Sequence, residues 1–291
     1  MTFNIELEES KEEDFNKDAF FTFFEKESKG KIQLENKKVF IAQSVDSTNT
    51  RLKALLQESK SIQELHKTIL ASASQTSGYG RLSRSFYSPD QNGIYFSFIY
   101  IPQETAFNPA FYTVSAALAV SLAVEEVTGI KTKIKWVNDL YVGDKKVCGI
   151  LAEGFCPPGS DSVSAMVIGI GINLHTDAEK LPEEIKKTAG GIFDSTDGKT
   201  CSRSQLLAKS MFKCLDFLDS GKAGWKNLVQ SYRERSYLDG KRVLVRPLAG
   251  NDKNSYRAKV IGISDELELE VECEDGSIKR LSTGEVTLHQ D

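Results

Sequence analysis

The chain has 291 residues, 40% of them hydrophobic and 27% charged, and a formal net charge of −4 at pH 7. Such a chain is long enough to bury a sizeable core in one large and one small domain, and its acidic balance disfavours broad nucleic-acid binding, which needs a concentrated basic face, so no DNA partner is expected. It shows no uninterrupted apolar run of transmembrane length and no basic start followed by an apolar secretory segment, so no membrane partner is expected and the cytoplasmic compartment is the default.

Residues 1–37 are rich in Glu, Asp and Lys around a Phe cluster, AFFTFFEKES, able to pin one short helix against the body, and contain no helix-turn-helix pattern. KKVFIAQSV reads as a strand, and DSTNTRLKALLQ as a helix opened by a capping cluster at Asp46, Ser47 and Thr48. HKTILASAS and NGIYFSFIYIP, the latter entered through Asn92-Gly93, are strands on either side of a glycine-punctuated loop. Asn108-Pro109 opens an Ala-rich apolar helix to Val127, with Gly129 just past its end. TKIKWVNDLYV, a Gly143-Asp144 turn and KKVCGILAEGF predict a hairpin, and SAMVIGIGINL a further strand. A helical stretch from Ser202 to Tyr232 leads to short strands only: GKRVLVRPL, YRAKVIGIS, LELEVECED and SIKRLSTGEVTL. Without a regular strand–helix–strand rhythm, the expected fold is α+β, a mixed or antiparallel sheet with helices on one face, followed by a small SH3-like barrel. The expected division is 1–37, 38–238 and 239–291, with neither internal repeats nor low-complexity tracts. The five cysteines, an odd number without paired metal-ligand spacing, read as reduced thiols and argue against a zinc site or a disulfide framework.

Chemistry concentrates in four segments. The window from Leu65 to Pro89 carries no Asp or Glu, and its run SQTSGYGRLSRSFYSP places Gly78, Gly80, Arg81 and Arg84 between two strands. Glycines let backbone N–H groups approach an anion and guanidiniums offer planar donor forks, so a phosphate-covering loop and a solvated surface turn stand as equal readings. Lys135 in KWVND ends a strand at a turn holding Asn138 and Asp139; beside a basic loop it can neutralise two anions that must meet, although a solvated strand lysine is the commoner case. Asp46 to Asn49 form either a plain N-cap or a recognition site for a small polar ligand. GIGINL brings Gly169, Gly171 and Asn173 together without the following helix and acidic residue of a dinucleotide site. Lys145-Lys146 beside the hairpin turn is either solubilising charge or a phosphate contact, and Trp136 and Phe86 are either core or base-stacking rings. His66, His175 and His289 sit beside no serine or cysteine elbow, so a nucleophile–base triad is not expected.

Taken in order, STN, GYGRLSRSFYSP, KWVND, GILAE, GIGINL and GEV resemble the catalytic core of biotin protein ligases from about Lys38 to the C-terminus. The resemblance implies a class II synthetase-like catalytic fold. It also implies a two-step reaction in which biotin and MgATP give biotinyl-5′-AMP and pyrophosphate, and a lysine of a biotin carrier domain then takes the biotinyl group. Carried over by position, Ser47, Thr48, Asn49, Gln75, Gly78, Tyr79, Gly80, Arg81 and Lys135 serve biotin, with Arg81 and Lys135 the catalytic pair. Arg84, Phe86, Asn138, Lys146 and Asn173 serve the nucleotide. No resident metal site is implied, because Mg2+ travels with the ATP phosphates.

The chain departs from the family pattern at Val137, where proline is usual, at Tyr79 and Leu82, where arginines are common, and at His289, where an arginine is frequent. The alternatives are a lipoate or octanoate ligase of the same fold, whose Arg-Arg-x-Ser-Gly-Gly-Gly loop is missing, a cysteine-dependent acyltransferase through Cys148, a non-catalytic biotin sensor, and a nucleic-acid-binding adaptor acting through the barrel. No DNA-binding module is expected ahead of the core, and a homodimer is left open.

Overall fold

The computed structural model describes residues 7–90, 93–103, 108, 110–177, 179–193, 198–246, 255–282 and 285–288. Asn92, Pro109, Gly284 and His289, which entered the sequence reading, lie outside the described residues. Seven strands form the large sheet: β1 (Val39–Val45), β2 (Ile69–Gln75), β3 (Gly93–Tyr100), β4 (Lys133–Lys135), β5 (Asp139–Val142), β6 (Lys145–Phe155) and β7 (Ala165–Asn173). Their order is β1-β2-β3-β7-β6-β5-β4, with β1 and β2 parallel and every other pair antiparallel.

The two-residue period of the strands divides the sheet into unlike faces. Ile94, Phe96 and Phe98 of β3 and Ile168, Ile170 and Ile172 of β7 join the main core, with helices α3 (Ala110–Thr128) and α5 (Arg203–Glu234) packed against it and the single turn α4 (Glu183–Lys186) between these two in the chain. α3 is long and apolar enough by composition to cross a membrane, yet two thirds of its apolar stretch, 67%, is buried inside the fold, where a helix hydrophobic all round belongs. It stops at Gly129, which adopts the left-handed conformation and donates its N–H to Glu125 O at 2.8 Å. α5 starts on a Ser202 cap that accepts from Gln205 N at 3.3 Å and breaks at Gly221, where φ is 51°. Below the other face, α2 (Thr48–Glu58) buries Leu52 and Leu56 against Leu70, Ile99 and Val167. It covers only part of that face and leaves the end of the sheet beyond it open.

Helix α1 (Lys17–Ser28) seats Phe20 and Phe24 in the main core, Phe24 edge-on to Phe212 of α5 at 6.4 Å. Two buried phenylalanines contribute about 1.5 to 3 kcal/mol each, enough to hold a helix of this length. Ahead of α1, Ser10 N donates to Ile41 O and Gln43 N to Glu8 O, both at 2.9 Å, so the chain lines the outer edge of β1. Arg203, 5% exposed, holds Glu12 and Asp14 and lies over the ring of Phe15. On the opposite edge, Ile134 of β4 donates to Arg235 O and accepts from Tyr237 N.

The small sheet comprises β8 (Arg242–Arg246), β9 (Tyr256–Ile263), β10 (Leu269–Cys273), β11 (Ile278–Leu281) and β12 (Glu285–Leu288) in the order β11-β10-β9-β8-β12, all antiparallel. This agrees with an SH3-like unit, and the single run SIKRLSTGEVTL supplies both of its outer strands. Trp136 joins the two sheets: it is 6% exposed and donates Nε1–H to Leu267 O at 2.9 Å. The indole is therefore mostly core, yet it also borders the cleft described below, as Phe86 does.

Candidate active site

Directly opposed residues cross the open face in one line. Lys135 pairs with Asp139, Asp139 with Gly149, Gly149 with Gly171, and Gly171 with Tyr95. The two glycines leave a trough in the sheet, and Phe86 lies in it. A Cβ on Gly171 would overlap Phe86 Cε1 and stand 2.7 Å from Cζ, and one on Gly149 would stand 2.9 Å from Cε2. Phe86 meets Tyr95 edge-on at 6.4 Å and walls the pocket.

At the inner end of this face stands the first turn of α2. Ser47 caps it, and Gln75 Oε1 accepts from Thr48 N at 2.9 Å and Thr48 Oγ1 at 3.1 Å. Gln75 Nε2 donates to Ser88 Oγ at 3.1 Å, and Gly78 packs against both, since a Cβ there would stand 2.8 Å from each atom. Asn49, 5% exposed, accepts from Ser97 Oγ at 2.5 Å and donates to Glu153 Oε2 at 2.7 Å. It fits because Gly169 is bare: a Cβ there would overlap Asn49 Oδ1 and lie 2.8 Å from its Cγ. Glu153 also receives Lys53 Nζ at 2.8 Å and Tyr79 OH at 2.9 Å. Burial pushes the Glu153 carboxyl up, but hydrogen bonds from Lys53, Asn49 and Tyr79 outweigh it and hold its pKa below the ordinary value. Burial likewise raises the Tyr79 phenol, which stays protonated as a donor.

The glycine–arginine loop is a small hairpin. Phe86 N donates to Gly78 O and Gly80 N to Arg84 O, both at 2.8 Å, with Tyr79 and Ser85 bridged between them. Leu82 sits at its tip with φ of 56°, 61% exposed. The loop, α2 and the glycine trough border one cleft of about 800 Å3, within the usual size of a ligand pocket. Among the described residues, Arg81, Arg84, Lys135, Lys146 and Arg246 line it together with two carboxylates, Asp139 and Glu184. In an acidic protein this is a local excess of positive charge suited to an anionic ligand.

Lys146 Nζ lies 2.7 Å from Asp139 Oδ1, while Lys145 is exposed and donates to Lys187 O at 2.9 Å. Lys135 Nζ is 5.9 Å from the centre of the Tyr141 ring. Asn138 Nδ2 donates to Ile150 O at 2.9 Å and ties the β4–β5 turn to β6, so its amide engages backbone although the residue borders the cleft. Asn173 lies in a smaller adjoining cavity that shares Phe86 and Lys146 with the cleft, and donates to Gly190 O at 3.3 Å. Cys148 is fully buried and burial drives its thiol pKa well up, which makes it inert and leaves a cysteine-dependent acyltransferase without its nucleophile.

Residues 41–173 match the model of the biotin/lipoate A/B protein ligase family. The chain is 31% identical over 225 residues to the bifunctional ligase/repressor BirA of Bacillus subtilis, spanning 76% of this chain and 66% of that relative's length. With the biotin–[acetyl-CoA-carboxylase] ligase of Mycobacterium tuberculosis it shares 26% identity over 228 residues, 74% of this chain and 75% of the relative. The solved structure of the biotin protein ligase from Aquifex aeolicus in complex with biotin and ATP superposes with a TM-score of 0.71 at 30% identity, over 87% of this chain and 99% of that one. The chain belongs to the biotin protein ligase family. The matched segment holds every site residue taken from the sequence, from Ser47 to Asn173.

Lys53, Ser97, Glu184 and Arg246 escaped the sequence reading of this ligase family member, and Glu153, though inside the quoted GILAE segment, was given no role. Glu153 was within reach, since Gly149, Leu151 and Glu153 alternate onto one face of β6. Arg246 of β8 and Val286 of β12, the latter from the GEV segment, bring the small sheet into the cleft wall, and no local pattern announces Arg246.

Proposed function

We propose that this chain activates biotin with MgATP to give biotinyl-5′-AMP and pyrophosphate, and then transfers the biotinyl group to a lysine of a biotin carrier domain. One observation carries the reading: the cleft joins an amide- and hydroxyl-lined inner end to an outer end where, among the described residues, five cations stand with two carboxylates. Thr48, Asn49 and Gln75, with Ser47 and the backbone at Gly78, suit the ureido group of biotin, which both donates and accepts. Lys135 lies between biotin carboxylate and α-phosphate and neutralises their repulsion as the carboxylate attacks phosphorus. Arg81 closes over the mixed anhydride and, with Tyr79 and Gly80, excludes water from it. Arg84, Lys146 and Arg246 balance the phosphates, Phe86 separates the two halves of the ligand, and Asn138 and Asn173 border the nucleotide side. Mg2+ would be held by the ATP phosphates and would supply charge neutralisation for the leaving pyrophosphate. Asp139 and Glu184 are the cleft carboxylates a hydrated ion can meet.

The same proposal places the chain in the cytoplasm, acting on a protein carrier and not on DNA. It divides the chain into 1–37, a catalytic unit 38–238 and a small unit 239–291, a division supported by the separate hydrogen bonding of the two sheets. Mass spectrometry of a biotin carrier domain incubated with the protein, ATP and either biotin or lipoate tests it. The biotin sample gains one biotinyl mass on a lysine and the lipoate sample gains nothing. Modification by lipoate alone, or by neither, overturns the proposal, and Lys135→Ala in a folded protein must abolish biotinyl-AMP synthesis.

A further inference from the structure

Glu153 stands where three elements meet, and no role in the two-step reaction has been given to it. Its Oε2 accepts from both Asn49 Nδ2 at 2.7 Å and Tyr79 OH at 2.9 Å, while Oε1 holds Lys53 Nζ at 2.8 Å. Lys53 Nζ also lies over the Tyr79 ring at 5.3 Å. Tyr79 is placed at the root of the loop, between two glycines with unlike surroundings. At Gly78 the backbone is packed on three sides, by Gln75 Nε2, Ser88 Oγ and Phe86 O, whereas at Gly80 the nearest atom to an added Cβ is Arg84 O at 3.9 Å. The chain is thus fixed as far as Gly78, and Leu82, Ser83, Arg84 and Ser85 beyond it are exposed.

We propose that Tyr79, Glu153 and Lys53 form a latch that holds the 79–85 hairpin down over the cleft and couples its position to the inner end of the pocket through Asn49. A phenol donating to a part-buried carboxylate makes a charge-assisted bond, stronger than the neutral bonds that close the hairpin on itself. Lys53 keeps that carboxylate ionised, and so keeps it an acceptor for both neighbours. Because one oxygen serves Asn49 and Tyr79 together, a ligand that orders Asn49 also favours the hydrogen bond that restrains the loop. Tyr79 stands at a position where arginine is common in the family pattern, so this chain makes with a neutral donor a contact to carboxylate that a guanidinium could make with charge. Glu153 and Lys53 are positioning residues: they act through Tyr79 and Asn49.

The retention of intermediate rests on the activity proposed above, while the latch itself has a readout independent of it. Amide hydrogen exchange at Gly80 and Phe86, whose N–H groups close the hairpin, is measured in the ligand-free full chain for the parent, Tyr79→Phe, Glu153→Gln and the double variant. Tyr79→Phe keeps the ring and its contact with Lys53 and removes one hydroxyl. Roughly tenfold faster exchange is expected, the scale of one hydrogen bond to a charged acceptor. The double variant should exchange little faster than Tyr79→Phe, and Tyr79→Arg should restore protection. Unchanged exchange in Tyr79→Phe, or strictly additive effects, overturns the latch whether or not the protein makes biotinyl-AMP. The second readout is how biotinyl-AMP partitions between release to solvent and transfer to a carrier domain. Tyr79→Phe should shift the partition several-fold toward release, and an unchanged partition alongside faster exchange overturns the link between latch and retention.

Discussion

Substituting alanine for Gly169 tests the idea that the glycines of β7 exist to admit side chains from elsewhere. The added methyl would overlap Asn49 Oδ1 and stand 2.8 and 3.1 Å from Cγ and Nδ2. The obstacle is a whole amide group pinned at both ends by Ser97 and Glu153, with no flexible tip able to swing aside. Asn49 must leave, losing one neutral hydrogen bond worth about 1 kcal/mol and one to a charged acceptor worth about 1.5 to 3 kcal/mol. A loss of roughly 3 kcal/mol lowers the melting temperature of a chain this size by about 6 to 12 °C. Biotin affinity should fall as well, because α2 presents Asn49 to the inner end of the pocket. Differential scanning calorimetry and titration calorimetry with biotin measure the two effects. Asn49→Ala removes the atoms that clash, so adding Gly169→Ala to it should cost far less than Gly169→Ala alone. If Gly169→Ala melts and binds like the parent, or if the two substitutions simply add, the close packing of Asn49 on β7 is refuted.

Three further outcomes follow from the same geometry. Arg203→Ala strips Glu12 and Asp14 of their buried partner, and limited proteolysis should then cut ahead of Phe15 at least several-fold faster while α1 stays docked. Iodoacetamide at pH 8 should modify exposed Cys156 first and leave Cys148 and Cys214 untouched in the native protein, because burial raises both thiols; early labelling of Cys148 would contradict the core around β6. Burial and then neighbouring Lys67 lower the His66 pKa to about 4 from the ordinary 6.5, so below pH 6.5 the unfolded chain takes up a proton that the folded one refuses. Stability should fall between pH 6.5 and about 4, by roughly 1 to 2 kcal/mol after allowing for solvent screening of a partly exposed ring, and His66→Gln should flatten that part of the denaturation profile.

The sequence disclosed most where chemistry is local. The Ser47 cap, the Gly143 hairpin turn, the end of α3 at Gly129 and the loop between β2 and β3 are each set by a few adjacent residues, and each was legible. What depended on register was not. GIGINL gave only a weak glycine signal, because the side chains that need Gly169 and Gly171 bare, Asn49 and Phe86, are remote in sequence and meet them only after β7 pairs with β3 and β6. The position of α2 was hidden for a similar reason: its capping motif fixes where it starts, but not that it shares a face with the cleft while α3 and α5 take the other. Trp136 and Phe86 looked alike as isolated aromatics, and only the fold shows that both border the cleft while Trp136 is also tied to the small sheet's side through Leu267 O.

The hydrogen bonds of Glu8 and Ser10 along β1, and of Arg235 and Tyr237 along β4, bear on how another protein can approach. Exposed ladder edges invite strand addition, whether by a legitimate partner or by aggregating neighbours. Here both outer strands already spend part of their backbone on the chain's own flanks. A visitor seeking to extend the sheet at Ile41 or Ile134 must first peel away a resident segment, so a carrier domain of the kind proposed above is better received by side-chain surfaces around the mouth of the cleft.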